Sequence, residues 1–80
     1  MKEHKIVMYG TPSCHWCVKA KEFFAEKGVK YEYIDVQADT EKAKEMVEKS
    51  GQMGVPVIDI DGEILVGFDE DKIKKLLEIN

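Results

Sequence analysis

The only two cysteines of this 80-residue chain, Cys14 and Cys17, stand three positions apart. A bridge across so short a loop would constrain the unfolded chain very little. A chain of this length sits near the size at which domains need either staples or very regular packing. With no useful staple, residues 1–80 are expected to form a single domain on regular helices and strands. The cysteines are then left for chemistry rather than scaffolding.

Regular elements are easy to find. Ile6-Val7-Met8-Tyr9 is a short apolar run closed by Gly10-Thr11-Pro12-Ser13, which reads as a buried strand and a loop. From His15 to Lys27 the pattern is helical, with Ala20, Phe23 and Phe24 on one face and Gly28 placed as a left-handed cap. Tyr31 to Ile34 reads as a strand, and Asp39 or Thr40 can cap a second helix with a stripe of Ala43, Met46 and Val47, closed by Gly51. Val55 to Ile60 is a strand-like run rich in β-branched residues, and Asp61-Gly62 is a strong hairpin signal before Ile64-Leu65-Val66. Asp69, Glu70 and Asp71 open a last helix that turns Ile73, Leu76 and Leu77 inward. The expected fold is α/β, in the order β-α-β-α-β-β-α. It starts with a right-handed parallel βαβ unit and forms a four-stranded mixed sheet with helices on both faces.

Composition narrows the function. The net charge is −4 and all twelve basic residues are lysines, which disfavours a nucleic-acid partner. No apolar run after Met1-Lys2-Glu3-His4-Lys5 resembles a signal peptide, and none approaches the length of a membrane span. The expected compartment is the cytoplasm, where a Cys-x-x-Cys reads as redox or metal chemistry rather than a structural bridge. No long apolar stripe is left unused, so a monomer is expected.

The position of the dithiol matters more than its spacing. Cys14 falls where the loop after the first strand enters the first helix, near unpaired N–H groups and the positive end of the helix dipole. Lowering a thiol pKa from about 8.5 to about 5.5 raises the thiolate fraction at pH 7 from about 3% to about 97%. A protonated His15 and Lys19 would add to that effect. Cys17 lies one turn further in, less exposed, so Cys14 is expected to attack a substrate disulfide and Cys17 to resolve the mixed disulfide. The metal alternative is weaker: structural zinc needs four ligands, and the chain offers Cys14, Cys17, His15 and His4, with His15 poorly placed between the cysteines. Val55-Pro56 is the second informative feature. A cis bond there would present the Val55 backbone to an extended substrate, whereas a trans proline would merely open a strand.

Together, Cys14-x-x-Cys17, Gly51-Gln52-Met53-Gly54-Val55-Pro56 and Gly67-Phe68-Asp69 resemble the glutaredoxin family, from Ile6 to Leu77. The resemblance implies a thioredoxin-like fold, a nucleophilic Cys14, a resolving Cys17 and a cis Pro56. Trp16 and His15 replace the tyrosine and proline of the family's Cys-Pro-Tyr-Cys, and an exposed Trp16 would offer a stacking platform beside the active sulfur. Gln52, Val55 and Asp69 match glutathione contacts. Thr11 stands where glutathione-using members carry a lysine, and Phe68 stands in their Gly-Gly-Ser/Cys-Asp segment. The activity expected from the resemblance is reduction of protein or glutathione mixed disulfides, with glutathione as co-substrate and no bound cofactor. The alternatives are a redoxin reduced by thioredoxin reductase, such as an electron donor to ribonucleotide reductase, and a zinc or iron–sulfur binding protein.

Overall fold

The computed structural model describes residues 4–79. Met1 to Glu3, read above for a leader segment, and Asn80 lie outside the described residues. The elements are β1 (Ile6–Gly10), α1 (His15–Glu26), β2 (Glu32–Asp35), α2 (Thr40–Ser50), β3 (Val57–Ile60), β4 (Glu63–Val66) and α3 (Glu70–Leu77). Their order is the expected one, and the sheet runs β2-β1-β3-β4. β1 pairs in parallel with β2 and antiparallel with β3, which continues into β4 through the hairpin.

Each helix ends as its residues dictate. The carboxylate of Asp39 accepts the Lys42 amide at 3.2 Å to cap α2, and Gly51 closes it in the left-handed conformation. Asp69 caps α3 in the same way through the Lys72 amide. At the hairpin, Asp61 and Gly62 both take positive φ, 52° and 95°, as a primed turn requires.

Two strands start later than the sequence expectation, and the other ends shift by at most a residue. β2 starts at Glu32 rather than Tyr31, whose ring packs on Phe24 with centroids 5.0 Å apart. β3 starts at Val57 rather than Val55, because Pro56 has no N–H for the ladder. The Pro56 carbonyl instead accepts the Gly67 amide at 2.8 Å.

Alternation along the strands divides the burial between two faces. Ile6, Met8, Ile58, Ile60 and Leu65 meet α1 through Ala20, Phe23 and Phe24, and α3 through Ile73 and Leu77. On the other face Tyr9 and Val57 meet Met46 of α2, with Val7, Ile34, Val47 and Ile64 around them.

Candidate active site

β1 ends at Gly10, and Thr11 to Cys14 form a turn in which the Cys14 amide donates to the Thr11 carbonyl at 3.2 Å. Cys14 is the N-cap of α1, extended at φ −76° and ψ 112°, and its sulfur accepts the Cys17 amide at 3.0 Å. A sulfur thus takes the position that a serine or aspartate oxygen fills in an ordinary cap, where unpaired amides favour negative charge. Cys14 and Cys17 form a disulfide with Cα atoms 5.2 Å apart. Cys14 is partly exposed and Cys17 is 1% exposed, so an incoming molecule meets Cys14 first.

The floor under Cys17 is Gly10. A Cβ on Gly10 would stand 2.5 Å from the Cys17 sulfur and 3.2 Å from Cε1 of Tyr33. Gly10 is therefore required for space, not for a positive φ. In the sequence it reads only as the start of a loop, and nothing local signals its role.

The sheet register brings the other two motifs to the same end. Tyr9 pairs with Val57 and Val57 with Val66, so Pro56 and Gly67 both sit beside the end of β1 from which the dithiol loop departs. The Val55–Pro56 bond is cis, and Pro56 is buried.

A glutaredoxin family model matches residues 6–65. The chain belongs to the glutaredoxin family. A glutaredoxin-like 8.6 kDa protein in the rubredoxin operon of Clostridium pasteurianum is 45% identical over 73 residues, covering 91% of this chain and 97% of that protein. Among solved structures, the thioredoxin-like protein BC3987 superposes with a TM-score of 0.84 at 35% identity, covering 90% of this chain and 99% of that one. The glutaredoxin-like NrdH-redoxin of Escherichia coli, described as having a thioredoxin-like activity profile, superposes at 0.80 with 26% identity, covering 90% of this chain and 93% of that one. The fold is thioredoxin-like, and the close cysteine pair makes this glutaredoxin-family chain a thiol–disulfide oxidoreductase.

The remaining expected site residues fall into distinct settings. Trp16 is 56% exposed and is not a core residue; its ring meets His15 edge-on, 5.7 Å away. Lys19 is exposed and two residues from Cys17, which turns it to the other side of α1. Lys21, a full turn beyond Cys17 and on its side of the helix, holds its ammonium 3.5 Å from the Tyr33 ring centroid. Gln52 is folded into its own loop: its amide oxygen accepts the Gly54 N–H at 2.6 Å and its Nε2 donates to the Gly54 carbonyl at 3.0 Å. The Phe68 ring packs edge-on against Phe23, 5.6 Å away, and Asp69 is occupied as the cap of α3.

Among the described residues, no group of three His, Cys, Asp or Glu side chains is arranged to hold a metal ion. His4 lies at the opposite end of β1 from the dithiol and pairs with Asp61 at 2.5 Å. No helix of the described residues is long and apolar enough to cross a membrane.

Proposed function

We propose that the chain, acting as a monomeric single domain in the reducing cytoplasm, reduces disulfides of proteins and mixed disulfides by dithiol exchange. Cys14 attacks the substrate as a thiolate, and Cys17 then attacks Cys14 and releases the second substrate thiol. One observation carries this reading above the rest: the Cys14 sulfur caps α1 and accepts the Cys17 amide, which favours its thiolate form. The sheet register that sets Pro56 beside the end of β1 supports docking of an extended substrate along the Val55 backbone, with Thr11 and the exposed Trp16 beside the active sulfur. Replacing Cys14 with Ser removes all disulfide reduction. Replacing Cys17 with Ser leaves only the one-thiol reaction on glutathionylated substrates. Activity surviving in the first variant would end this reading.

For the electron source, the folded geometry favours a thioredoxin-reductase type of partner. Both ends of the Gln52 amide are spent on Gly54, and Phe68 packs on Phe23 where glutathione users carry a small residue. Thr11 offers no positive charge for a carboxylate, and Glu70 and Asp71 add negative charge to the first turn of α3. The second reading, reduction by glutathione, is supported by Gln52, Val55 and Asp69 at matching positions. It requires Gln52 to release Gly54. NADPH consumption coupled through thioredoxin reductase is expected to be fast, and the glutathione-coupled rate slow. Fast turnover with glutathione and glutathione reductase would reverse that order.

A further inference from the structure

Tyr33 carries the buried side-chain polar atom without a hydrogen-bond partner among the described residues, its hydroxyl oxygen. A buried hydroxyl left unpaired is costly, so such an atom calls for an account of what else it serves. Its surroundings supply one. Cε1, the ring carbon next to the one bearing the hydroxyl, and the Cys17 sulfur approach the same point above Gly10, at 3.2 Å and 2.5 Å. The ring of Tyr33 therefore borders the space that holds the second sulfur of the dithiol, and its hydroxyl makes no hydrogen bond to that sulfur while the disulfide is closed.

In the disulfide, that sulfur is neutral and a weak acceptor. After reduction Cys17 must become a thiolate to act, in a site only 1% exposed where burial disfavours its charge. We infer that the Tyr33 hydroxyl, beneath the Lys21 ammonium, is the hydrogen-bond donor that stabilises the Cys17 thiolate in the resolving step. The inference rests on the proposed resolving role of Cys17. Cys17 releases its proton to solvent and its thiolate attacks the Cys14 sulfur of the mixed disulfide. The Cys14–Cys17 bond forms as the bond from Cys14 to the substrate sulfur breaks. The substrate thiolate leaves with that electron pair and takes up a proton, while Tyr33 keeps its own.

The charged groups around the sulfur fit this assignment. From α1, Cys14 is bonded to it and Lys21, one turn on, lies over the Tyr33 ring, while His15 and Lys19 lie two residues to either side, on the other side of the helix. β1 contributes Gly10 and no charge. From β2 come Tyr33 and Asp35, whose carboxylate already accepts the Gln37 amide at 2.9 Å and the Ala38 amide. Burial first, then Asp35 and Tyr31, push the Tyr33 phenol above its ordinary range, so it remains a donor where thiols titrate.

The test is release of thiol from dithiobis(nitrobenzoic acid) by the reduced protein, followed in time. The first equivalent reports attack by Cys14 and the second reports attack by Cys17. In Tyr33→Phe the second phase should slow about tenfold at neutral pH and its pH midpoint should rise by about one unit, the size of one charge-assisted hydrogen bond. The first phase should not change. Lys21→Gln should move the midpoint in the same direction by less, and Lys21→Arg should restore it. The oxidised Tyr33→Phe protein should melt no lower than the parent, because it has lost an unpaired buried hydroxyl. A Tyr33→Phe second phase with the parent's rate and midpoint would overturn the inference. So would a drop in melting temperature with no change in midpoint. If the parent itself shows no second phase, the resolving role of Cys17 fails first.

Discussion

The face of the sheet under α1 and α3 and the face under α2 share the same strands, yet they are closed in different ways. Two helices cover the first, and its buried residues are all apolar, from Ile6 and Met8 through Phe23 and Phe24 to Ile73 and Leu77. One helix covers the second, where Tyr9, Val57 and Met46 are buried and the rest opens into a groove of about 450 Å³. That groove is edged by charge. The Tyr9 hydroxyl donates to Glu45 at 2.5 Å and accepts from the Lys49 ammonium at 2.9 Å, which also reaches Asp59 at 3.2 Å. The dithiol helix is mounted on the dry face, so the sulfurs gain a rigid, apolar support. The other face holds its helix partly through polar contacts that water can replace.

The largest effect should come from cutting the dry core. Phe24 is fully buried, and Phe24→Ala should cost about 3–5 kcal/mol, a large part of a small domain's total stability. Met46→Ala on the other face should fall at the low end of about 2–5 kcal/mol, because Met46 belongs to the smaller buried cluster, with only Tyr9 and Val57 buried beside it. Denaturant unfolding of both variants makes the comparison directly. Equal losses would mean that the two faces contribute alike.

Next in size is Gly10→Ala. Its new methyl group would stand 2.5 Å from the Cys17 sulfur, so either β1 or α1 must shift. Overpacking of this kind costs about 1–3 kcal/mol. The activity should fall further, by about 100-fold, since small misplacements of reacting atoms are costly to rate. A Gly10→Ala protein with normal disulfide reduction would show that the support of Cys17 is not rigid.

Much of this was legible in the sequence because its signals are local. The Asp39 and Asp69 caps, the Asp61-Gly62 turn and the four-residue span of the dithiol each lie within one stretch of chain. So do the apolar stripes that place α1 and α3 on the sheet. What the sequence concealed depends on register and helix rotation. Gly10 meets Cys17 only because β1 feeds α1 at that angle, and Tyr33 joins them from the neighbouring parallel strand. Tyr9 finds Glu45 and Lys49 across 36 and 40 residues. Motif matching placed Gln52 and Phe68 at the site but could not reveal that one amide closes its own loop or that the ring packs on Phe23.

The smallest effect concerns pH, and it separates the faces by slope rather than size. The Tyr9 hydroxyl, helped by Lys42 and Lys49 and opposed by burial, holds Glu45 below the usual carboxylate range. At the same groove, His4 and then the Lys5 amide do the same for Asp61. A carboxylate whose folded pKa is depressed contributes its stabilisation in full above the unfolded value, about 4, and loses it as pH falls through the folded value. Both groups line the α2 face, so that face should carry part of the acid sensitivity. Glu45→Gln combined with Asp61→Asn keeps an acceptor for Tyr9 and a residue tolerant of positive φ at the turn. Its urea midpoint should lie slightly below the parent's at neutral pH and fall less steeply below about pH 4. Phe24→Ala should instead lower the curve at every pH while keeping the parent's slope, since no titrating group is involved. If the double variant and the parent lose stability in parallel as acid is added, the polar edge of the α2 face is a solvated surface that does not couple to folding.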